Sequence, residues 1–486
     1  MTTKKTIFLT GASGNMGQEG LRYLLQRSHR FNVVVLVLPT ENDRRIMQPF
    51  VGKRSLKIVW GDLTNYDDVL ACVTGADYVL HVGAVVSPLA DHFPELATKV
   101  NIGSAKNIVR AIKAQPEPDR IKLVYIGTVA QTGNRPAPLH WGRTGDPIRI
   151  SVYDNYALSK TIAEREIIES GLRYWVSLRQ TGIAHPGLLL IQDPIMFHTP
   201  LNGQLEWVTV RDAGRLLANV CGEDVPNEFW RRIYNIGGGE KCRVSNFEFL
   251  QKTFSIVGIK DIRRVFEPNW FATRNFHGQW YEDSDILERY LHFRSEGIDD
   301  FITDLKRRVA WYFRLGGLVP GLVKRQLRTI ARSKGGTLNW LETGNSNKIA
   351  AYFGAKEQWQ QIPGWDSFPV ETLSHTPQRL NHGYDEQKSK GRLDLTDMQG
   401  AAEFRGGKCL AEYMRRGDLY APLKWRCAFG HEFKASPTLV LLAGHWCPDC
   451  LPMPWREDEI ARRNPFFAQV WNADHSADEN RVYPME

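Results

Sequence analysis

The sequence has no long apolar run, no internal repeat and no low-complexity tract. Of its 486 residues, 42% are hydrophobic and 24% are charged, which excludes a disordered or collagen-like chain. No apolar run reaches the roughly 18–20 residues that a membrane-spanning helix needs. The stretch 315–323 is too short and is interrupted by glycines and Pro320. We therefore expect a soluble protein, or at most one that lies peripherally on a membrane.

Cysteine is scarce, with seven residues in the whole chain. An odd count and the lack of a secretory signal over residues 1–8 favour a reducing, cytoplasmic setting. The charge balance, 62 − 54 = +8, is mildly basic. It is compatible with a nucleotide cofactor, nucleic acid or an anionic membrane and selects none of them.

Short apolar runs alternate with helical patterns over the first half of the chain. Continuous apolar strands between helices predict an α/β fold, with a doubly wound parallel sheet covered by helices on both faces. The predicted strands are 6–9, 33–38, 56–59, 78–81, 121–126 and 174–178, and the predicted helices are 17–26, 67–73, 97–114 and 156–169.

A glycine-rich loop follows the first predicted strand and leads directly into a helix. Its glycines permit a tight turn and a close approach of the backbone to a pyrophosphate, which the free N–H groups of the helix N-terminus attract. Its position between a strand and a helix makes phosphate binding more specific than the glycine pattern alone. The predicted contacts are Thr10, Gly11, Ser13, Gly14, Asn15, Met16 and Gly17.

Tyr156 and Lys160 lie four residues apart in a predicted helix, and therefore on one face of it. A free tyrosine titrates near ~10, so it is a poor base at neutral pH. A neighbouring ammonium lowers the pKa of the phenol and makes Tyr156 a usable general acid or base. Alone, however, this spacing is typical of any exposed helix face.

Together with Asp62, Thr128, Asn101 and Arg179, these motifs resemble the extended short-chain dehydrogenase/reductase family, which includes the NAD-dependent epimerase/dehydratase group. The resemblance covers about residues 4–300. It implies a Rossmann fold and a catalytic set of Tyr156, Lys160 and Thr128. Tyr156 would exchange a proton with the substrate oxygen, Thr128 would hydrogen-bond the same oxygen, and Lys160 would lower the pKa of Tyr156 and hold the nicotinamide ribose. Asp62 and Leu63 would flank the adenine, and Gly83 and Ala84 would line the cofactor channel.

Two departures from the family pattern restrict the reaction. Val129 and Ala130 stand where sugar-nucleotide 4,6-dehydratases carry an Asp-Glu pair, so a dehydratase of that kind is not expected. The second strand ends in Leu38-Pro39 and is followed by Arg44, which slightly favours NADP over NAD. We expect an NAD(P)-dependent oxidoreductase that interconverts a secondary alcohol and a ketone. The alternatives are a sugar-nucleotide epimerase with tightly bound NAD and a non-catalytic dinucleotide sensor.

The C-terminal cysteines have the spacing of a metal site. Cys427 and His431 are followed by Cys447 and Cys450, the latter two in a C-x2-C turn. Three sulfurs and one nitrogen complete a tetrahedral zinc shell with no open position, which indicates a structural ion in a zinc-ribbon-like module. Cys409 is an alternative ligand, and four unliganded residues are the alternative interpretation of the whole cluster.

Residues 306–334 contain nine Lys or Arg and no acidic residue, with Trp311, Tyr312 and Phe313 among them. Three interpretations are open: a solvated helix packed on the catalytic domain, a peripheral membrane contact, or a nucleic-acid contact. We expect three segments: a catalytic domain over 1–300 (cofactor-binding core about 1–180, substrate lobe mainly 181–300), a basic helical connector over 301–390 and the zinc module over 391–486. We also expect a small-molecule substrate and a homodimer.

The substrate pocket is expected within the lobe formed by residues 184–209 and 269–280. This lobe is rich in aromatic side chains, which favours a partly apolar or ring-bearing substrate, although core packing explains the enrichment equally well. The candidates are Phe197, His198, Trp207, Trp270, Phe271, Phe276 and His277.

Overall fold

A computed structural model of the chain describes residues 4–190, 192–451 and 455–485. The terminal residues of the predicted catalytic domain and zinc module, 1–3 and 486, lie outside the described residues, as do 191 and 452–454. The strands are β1 (Lys5–Thr10), β2 (Phe31–Val37), β3 (Leu56–Trp60), β4 (Tyr78–His81), β5 (Lys122–Thr128), β6 (Trp141–Gly142), β7 (Trp175–Gln180), β8 (Ile183–Ala184), β9 (Gln204–Glu206), β10 (Val208–Thr209), β11 (Arg232–Ile236), β12 (Arg243–Ser245), β13 (Trp280–Tyr281), β14 (Lys408–Cys409), β15 (Leu423–Arg426) and β16 (Glu432–Ala435).

The α-helices are distributed over the whole chain. They are α1 (Asn15–Gln26), α2 (Glu41–Met47), α3 (Tyr66–Val73), α4 (Leu89–His92), α5 (Pro94–Ala97), α6 (Gly103–Lys113), α7 (Asn155–Ile168), α8 (Val210–Asn219), α9 (Asn246–Phe254), α10 (Ser284–Leu291), α11 (Ile298–Arg308), α12 (Pro320–Ala331), α13 (Thr337–Thr343), α14 (Ser346–Phe353), α15 (Lys356–Gln360), α16 (Leu395–Phe404), α17 (Glu457–Arg463) and α18 (Pro465–Trp471).

Seven parallel strands form the central sheet in the order β3-β2-β1-β4-β5-β7-β11. The strand order reverses at β1, where Ile7 pairs with Val33 on one side and with Tyr78 on the other. This is the doubly wound Rossmann arrangement that the alternation of strands and helices predicts. A ligand crevice is expected where the order reverses, at the carboxyl ends of β1 and β4.

Each face of the sheet is covered by helices that bury an apolar stripe. On one face, α1 packs tightly on α8, with Gly20 against Leu217. On the other face, α3, α6 and α7 bury Val69, Ile108 and Ile167. These strands are apolar on both sides because both sides are covered.

The predicted helix over 97–114 is present but not continuous. It begins as α5, passes through a π-helical turn at Thr98–Ile102 and continues as α6. The extra residue of the π turn lets Asn101 reach Val85, as described below. Such insertions in a helix are common at functional sites.

The C-terminal segment packs directly on the Rossmann core. The antiparallel strands β14-β15-β16 and the π-helical turn Thr438–Leu442 bury Trp425, Leu439 and Val440 in the same apolar cluster as Ile112 and Ile167. The connector contributes helices α11 to α15, and the described structure places no α-helix or β-strand in residues 361–389. None of the described helices is long and apolar enough to cross a membrane.

Candidate active site and metal cluster

A cavity of about 920 Å³ opens at the carboxyl ends of β1, β4 and β5, where the strand order predicts a ligand crevice. Its walls come from four places in the chain: the glycine-rich loop, the ends of β4 and β5, the start of α7 and the substrate lobe. A fifth contribution comes from α12, in the segment predicted to be only a connector. The volume is in the range of pockets that enclose small-molecule ligands.

Two positions of the glycine-rich loop, Gly11 and Gly17, have no room for a side chain. Gly11 has a left-handed backbone, with φ of +68°, and a Cβ there would lie 2.7 Å from the nitrogen of Gly83. A Cβ on Gly17 would lie 2.0 Å from the carbonyl oxygen of Gly11. These positions therefore require glycine for the loop to pack against β4 and the helix to start close to the strand.

The first turn of α1 is available to an anion. Gly14 precedes the helix and provides no capping side chain, and Asn15 to Gly17 line the cavity. The first N–H groups of a helix have no partner inside it, and they carry the positive end of the helix dipole. A dinucleotide pyrophosphate fits this position, because the loop presents backbone donors without a competing side chain.

Most predicted cofactor contacts line the cavity, and four do not. Gly11, Ser13, Gly14, Asn15, Met16, Gly17, Gly83, Ala84 and Lys160 line it. Thr10 is buried behind the loop, where its hydroxyl accepts a hydrogen bond from the N–H of Gly83 at 2.8 Å. Asp62 accepts from Thr64, Leu63 packs against Gly83, and the guanidinium of Arg44 lies 4.5 Å from the ring centre of Trp60. Asn42 and Asp43 line the cavity where Arg44 was predicted to do so.

Tyr156, Thr128 and Lys160 all line the same cavity, on neighbouring elements. Asp154 caps α7 by accepting a hydrogen bond from the N–H of Ala157 at 2.7 Å, which fixes the first turn that carries Tyr156. Thr128 is the last residue of β5, and its hydroxyl accepts from the N–H of Ala130. The three side chains thus converge from the first turns of α7 and the end of one strand.

Burial raises the pKa of Tyr156 to about 12, although a hydrogen bond with Thr128 acts in the opposite direction. The phenol is therefore protonated at neutral pH. Thr128 is the group that favours ionisation of the Tyr156 phenol. The family resemblance implied Lys160 for this role. The reason lies in the position and charge of Lys160.

The ammonium of Lys160 is tied to the backbone at the end of β5. Its Nζ donates a hydrogen bond to the carbonyl oxygen of Ile126 at 2.7 Å and lies 4.3 Å from the ring centre of Tyr125. Burial lowers its pKa to about 7, and Glu164 opposes this shift. Lys160 therefore provides less positive charge to the phenol at neutral pH than a free lysine would.

Asn101 links the cofactor side of the cavity to α7. Its side chain accepts from the N–H of Val85 at 2.8 Å, donates to the carbonyl of Val85 at 3.0 Å and donates to the hydroxyl of Ser159 at 2.9 Å. These three contacts hold the loop after β4 beside the turn that bears Tyr156 and Lys160. The π-helical turn places Asn101 in this position. No local sequence pattern predicts that turn.

Of the aromatic residues predicted to form the substrate pocket, Trp207, Phe276 and His277 line the cavity. Phe197, His198, Trp270 and Phe271 pack elsewhere: Phe197, Trp270 and Phe271 belong to a buried apolar cluster, and His198 lies 4.8 Å from Trp340 between ring centres. For these four, core packing is the correct explanation. Sequence reasoning missed further parts of the wall. Among them are α9, which contributes Phe249 and Phe254, and α12, which turns Val323, Gln326, Leu327 and Ile330 toward the cavity.

The four predicted metal ligands come together at the C-terminal module. One ligand atom from each of Cys427, His431, Cys447 and Cys450 lies within 4.8 Å of all the others. Cys427 and His431 flank the turn between β15 and β16, and Cys447 and Cys450 flank a 3-10 turn. Cys409 is not part of the cluster.

The spacing of the donor atoms fits a tetrahedral ion. Nδ1 of His431 lies 3.6 Å from Sγ of Cys447 and 3.5 Å from Sγ of Cys450, and Sγ of Cys450 lies 3.8 Å from Sγ of Cys427. Bonds of about 2.3 Å to sulfur and about 2.0–2.1 Å to nitrogen in a tetrahedron give separations of about 3.8 Å and 3.6 Å. All four residues fit zinc, and all the cysteines are free of disulfides.

Comparison with known proteins agrees with the fold and the glycine-rich loop. Residues 7–182 match the model of the NAD dependent epimerase/dehydratase family. This part of the chain is therefore similar to that family, as the resemblance inferred from its motifs predicted. The matched region contains most of β1, all of β2 to β7 and α7, and the complete glycine-rich loop.

Similar proteins include enzymes of several activities. Human 3 beta-hydroxysteroid dehydrogenase type 7 is 25% identical over 201 residues, which cover 39% of this chain and 53% of the relative. UDP-glucose 4-epimerase of Rickettsia bellii is 26% identical over 114 residues, which cover 23% of this chain and 33% of the relative. The structure of dTDP-glucose 4,6-dehydratase from Bacillus anthracis in complex with NAD matches with a TM-score of 0.49 and 14% identity, covering 62% of this chain and 96% of that one. The chain spans about half the length of the curated hydroxysteroid dehydrogenases that it matches.

Proposed function

We propose that this protein is an NAD-dependent oxidoreductase that interconverts an apolar secondary alcohol and its ketone. The observation that carries the proposal is the shared cavity: Tyr156, Thr128 and Lys160 open into the same space as the glycine-rich loop. A hydroxyl or carbonyl group beside Tyr156 is then within the same enclosure as a dinucleotide held at Gly11 to Gly17.

The cofactor and two side chains have separate roles in the proposed reaction. A bound nicotinamide dinucleotide supplies the hydride exchange at the substrate carbon. Thr128 hydrogen-bonds the substrate oxygen, and Tyr156 exchanges the proton at that oxygen. Because the pKa of Tyr156 is raised to about 12, the resting phenol is protonated and ready to donate to a ketone oxygen. In the opposite direction, Tyr156 acts as the base only after it has lost its own proton to solvent, and the phenolate then takes the hydroxyl proton of the alcohol.

The substrate class follows from the cavity wall. Among the described residues that line the cavity, Lys160 is the one side chain with a cationic group, and it lies at the catalytic end. A nucleotide sugar would bring a second diphosphate with no arginine or lysine to receive it. The remainder of the wall is mostly apolar and includes Trp207, Phe249, Phe254, Leu327 and Ile330. We therefore propose a hydroxysteroid-like substrate, which agrees with the names of the hydroxysteroid dehydrogenases among the relatives and not with those of the sugar-nucleotide enzymes.

The proposed cofactor is NAD rather than NADP. Asp43 lines the cavity beside the end of β2, whereas the neighbouring Arg44 stacks on Trp60. An acidic side chain near the adenosine favours the ribose hydroxyls of NAD and repels the additional phosphate of NADP. The NADP preference expected from Arg44 therefore has no support in its position.

We further propose one structural zinc ion, held by Cys427, His431, Cys447 and Cys450. The matched donor spacing supports it, and four protein ligands leave no position for a reacting water. The ion would stabilise the small module by joining its two ligand-bearing turns.

The test uses the purified full-length chain with NAD⁺ or NADP⁺ and two substrate sets, 3-hydroxysteroids and UDP-sugars. We expect reduced nicotinamide to accumulate with NAD⁺ and a hydroxysteroid. Tyr156→Phe is expected to lower kcat by about 100-fold or more, with NAD⁺ affinity largely unchanged. Tyr290→Phe is the matched control, because Tyr290 packs on Phe229, away from the cavity.

Two results would contradict the proposal. Full turnover by Tyr156→Phe would remove the catalytic assignment. Interconversion of UDP-sugars without net formation of reduced cofactor would make the protein an epimerase instead.

A further inference from the structure

Residues 311–322 present an unusual concentration of apolar side chains to solvent, here called the 311–322 patch. Trp311 is 72% exposed and Leu318 is 78% exposed. Seven of the eighteen exposed large hydrophobic side chains among the described residues lie in these twelve positions, so the exposure is not scattered in the usual way. The seven are Trp311, Tyr312, Phe313, Leu315, Leu318, Val319 and Leu322.

The first part of the patch is a regular helical segment that packs on the rest of the chain. This segment is a 3-10 helix, Trp311–Leu318, that packs through its backbone on the turn 255–258. A Cβ on Gly317 would lie 2.2 Å from the carbonyl oxygen of Gly258, and a Cβ on Gly258 would lie 2.1 Å from that of Arg314. Because backbone meets backbone at this contact, the aromatic side chains are left pointing outward.

Cations surround the patch. Residues 306–334 carry nine Lys or Arg and no carboxylate. Ion pairs with the rest of the chain use three of them, Arg308, Lys324 and Arg332. The others, including the exposed Arg307, Arg325 and Arg328, form no ion pair with any carboxylate that the structure describes. The surface around the apolar patch is therefore positively charged and free to meet an anionic surface.

The patch borders the wall of the cavity. The turn that supports it includes Val257, which lines the cavity, and the patch runs on into α12. Leu322 is 65% exposed, and its neighbour Val323 faces the cavity with Leu327 and Ile330. The spacing 323, 327, 330 is one face of a helix, so α12 has its inner face on the cavity and its outer face beside the patch.

We infer that the 311–322 patch docks this protein on an anionic lipid bilayer. Tryptophan and tyrosine suit the headgroup level, leucine and valine suit the acyl boundary, and surrounding cations are attracted to anionic lipids. The aliphatic members argue against nucleic acid, where exposed side chains stack on bases through aromatic or guanidinium planes. The surrounding cations argue against a protein interface, since the core of such an interface is depleted in charged residues. The inference concerns attachment and does not depend on the proposed reaction.

The experiment is cosedimentation of the full-length chain with vesicles of phosphatidylcholine alone or with added phosphatidylserine. We expect binding to the anionic vesicles that weakens with salt. The double variant Trp311→Ser/Leu318→Ser is expected to weaken binding by about tenfold or more. Its control, Tyr413→Ser/Val482→Ser, removes two exposed apolar side chains elsewhere and is expected to bind as the wild type.

A second pair of variants tests the charges. Arg325→Glu/Arg328→Glu is expected to weaken binding by about tenfold or more, whereas Lys53→Glu/Arg54→Glu, an exposed pair in another loop, is expected to have little effect. The inference is overturned if the wild type ignores anionic vesicles, or if the Trp311/Leu318 variant binds them normally. It is also overturned if the wild type binds a single-stranded oligonucleotide more tightly than the vesicles and Arg325→Glu/Arg328→Glu abolishes that binding.

Discussion

The carboxylate of Glu164 and the imidazole of His445 lie 2.9 Å apart, and both side chains are fully buried. Glu164 is on α7, one turn after Lys160, whereas His445 lies two residues before the cluster ligand Cys447. Arg179 joins them by donating to Glu164 at 2.8 Å and to the carbonyl oxygen of Ala443 at 2.7 Å. The helix that bears Tyr156 is thus bonded to the chain segment that bears the Cys/His cluster.

The same helix is held by the module farther along its length. Arg165 donates to the carbonyl oxygen of Lys434 at 3.0 Å, and Glu169 accepts from the hydroxyl of Ser436 at 2.6 Å. Contacts over two successive turns of α7 therefore come from residues 434–446. The module therefore supports α7 on the turns that follow Lys160.

The charge state of the buried pair follows from its surroundings. Burial opposes ionisation of Glu164, but the charge of Arg179 and the hydrogen bond from His445 together lower its pKa below the ordinary value. Burial lowers the pKa of His445, although Glu164 opposes that shift. We therefore describe the contact as a hydrogen bond from a neutral imidazole to a carboxylate, with the proton on Nε2.

Replacing His445 by Ala is expected to lower both stability and turnover. The substitution removes one of three donors to Oε2 of Glu164 and leaves those of Gln131 and Arg179 in place. Loss of a hydrogen bond to a charged group costs about 1.5–3 kcal/mol of unfolding free energy. Because α7 positions Tyr156, kcat is expected to fall while NAD⁺ affinity at the glycine-rich loop changes little. Chemical denaturation and steady-state kinetics measure the two effects. The control is His29→Ala, because His29 is exposed and lies between α1 and β2. Unchanged stability of the His445 variant would show that the contact contributes nothing.

Much of the Rossmann core was predictable because its signals are local. Strand β4 has the predicted bounds, Tyr78–His81, and the other five predicted strands are shifted at their ends by one or two residues. Continuous apolar runs and the glycine loop are determined by neighbours in sequence. The helix over 97–114 was only partly predicted, because the π-helical turn serves the contact between Asn101 and Val85, which propensity does not encode.

The site was predictable to the extent that its residues share one helix or one turn. Tyr156 and Lys160 are four residues apart, and the four metal ligands form two short motifs. The contact between Glu164 and His445 joins residues 281 positions apart, and no spacing rule reaches that far. The same applies to α12, whose basic and apolar sequence indicated a surface segment while its other face forms the cavity wall.

The metal cluster predicts one zinc ion per chain. Cys447→Ser is expected to remove the ion and lower the melting temperature, since it takes away one of four ligands. Metal analysis and thermal unfolding of the purified chain measure both effects. Cys409→Ser is the matched control, because Cys409 lies in the same module but outside the cluster. Zinc retained by the Cys447 variant at wild-type stoichiometry would contradict the assignment.

A larger side chain on the inner face of α12 is expected to exclude bulky substrates from the cavity. Leu327 is buried and lines the cavity, so Leu327→Trp is expected to raise KM for a hydroxysteroid by about tenfold or more through loss of space. NAD⁺ affinity is expected to stay the same, because the glycine-rich loop is on another wall. Thr329→Trp places the same side chain on the exposed side of the helix and serves as control. Equal KM values for the two variants would remove α12 from the substrate site.

Lys160 predicts a specific pH dependence of stability. Burial lowers its pKa from the ordinary 10.5 to about 7 in the folded chain, so between these values the unfolded chain holds the proton more tightly. The free energy of unfolding is therefore expected to rise with pH from about 7 to 10.5, by at most about 1.4 kcal/mol per pH unit. Below pH 7 lysine is charged in both states and its burial cost is fully present, and above 10.5 the cost is gone. Comparing denaturation of the wild type with Lys160→Met across this window isolates the contribution, and the exposed Lys113→Met variant provides a reference slope. Parallel curves for the wild type and Lys160→Met would show that Lys160 keeps its ordinary pKa, and the explanation given above for its weak influence on Tyr156 would then be wrong.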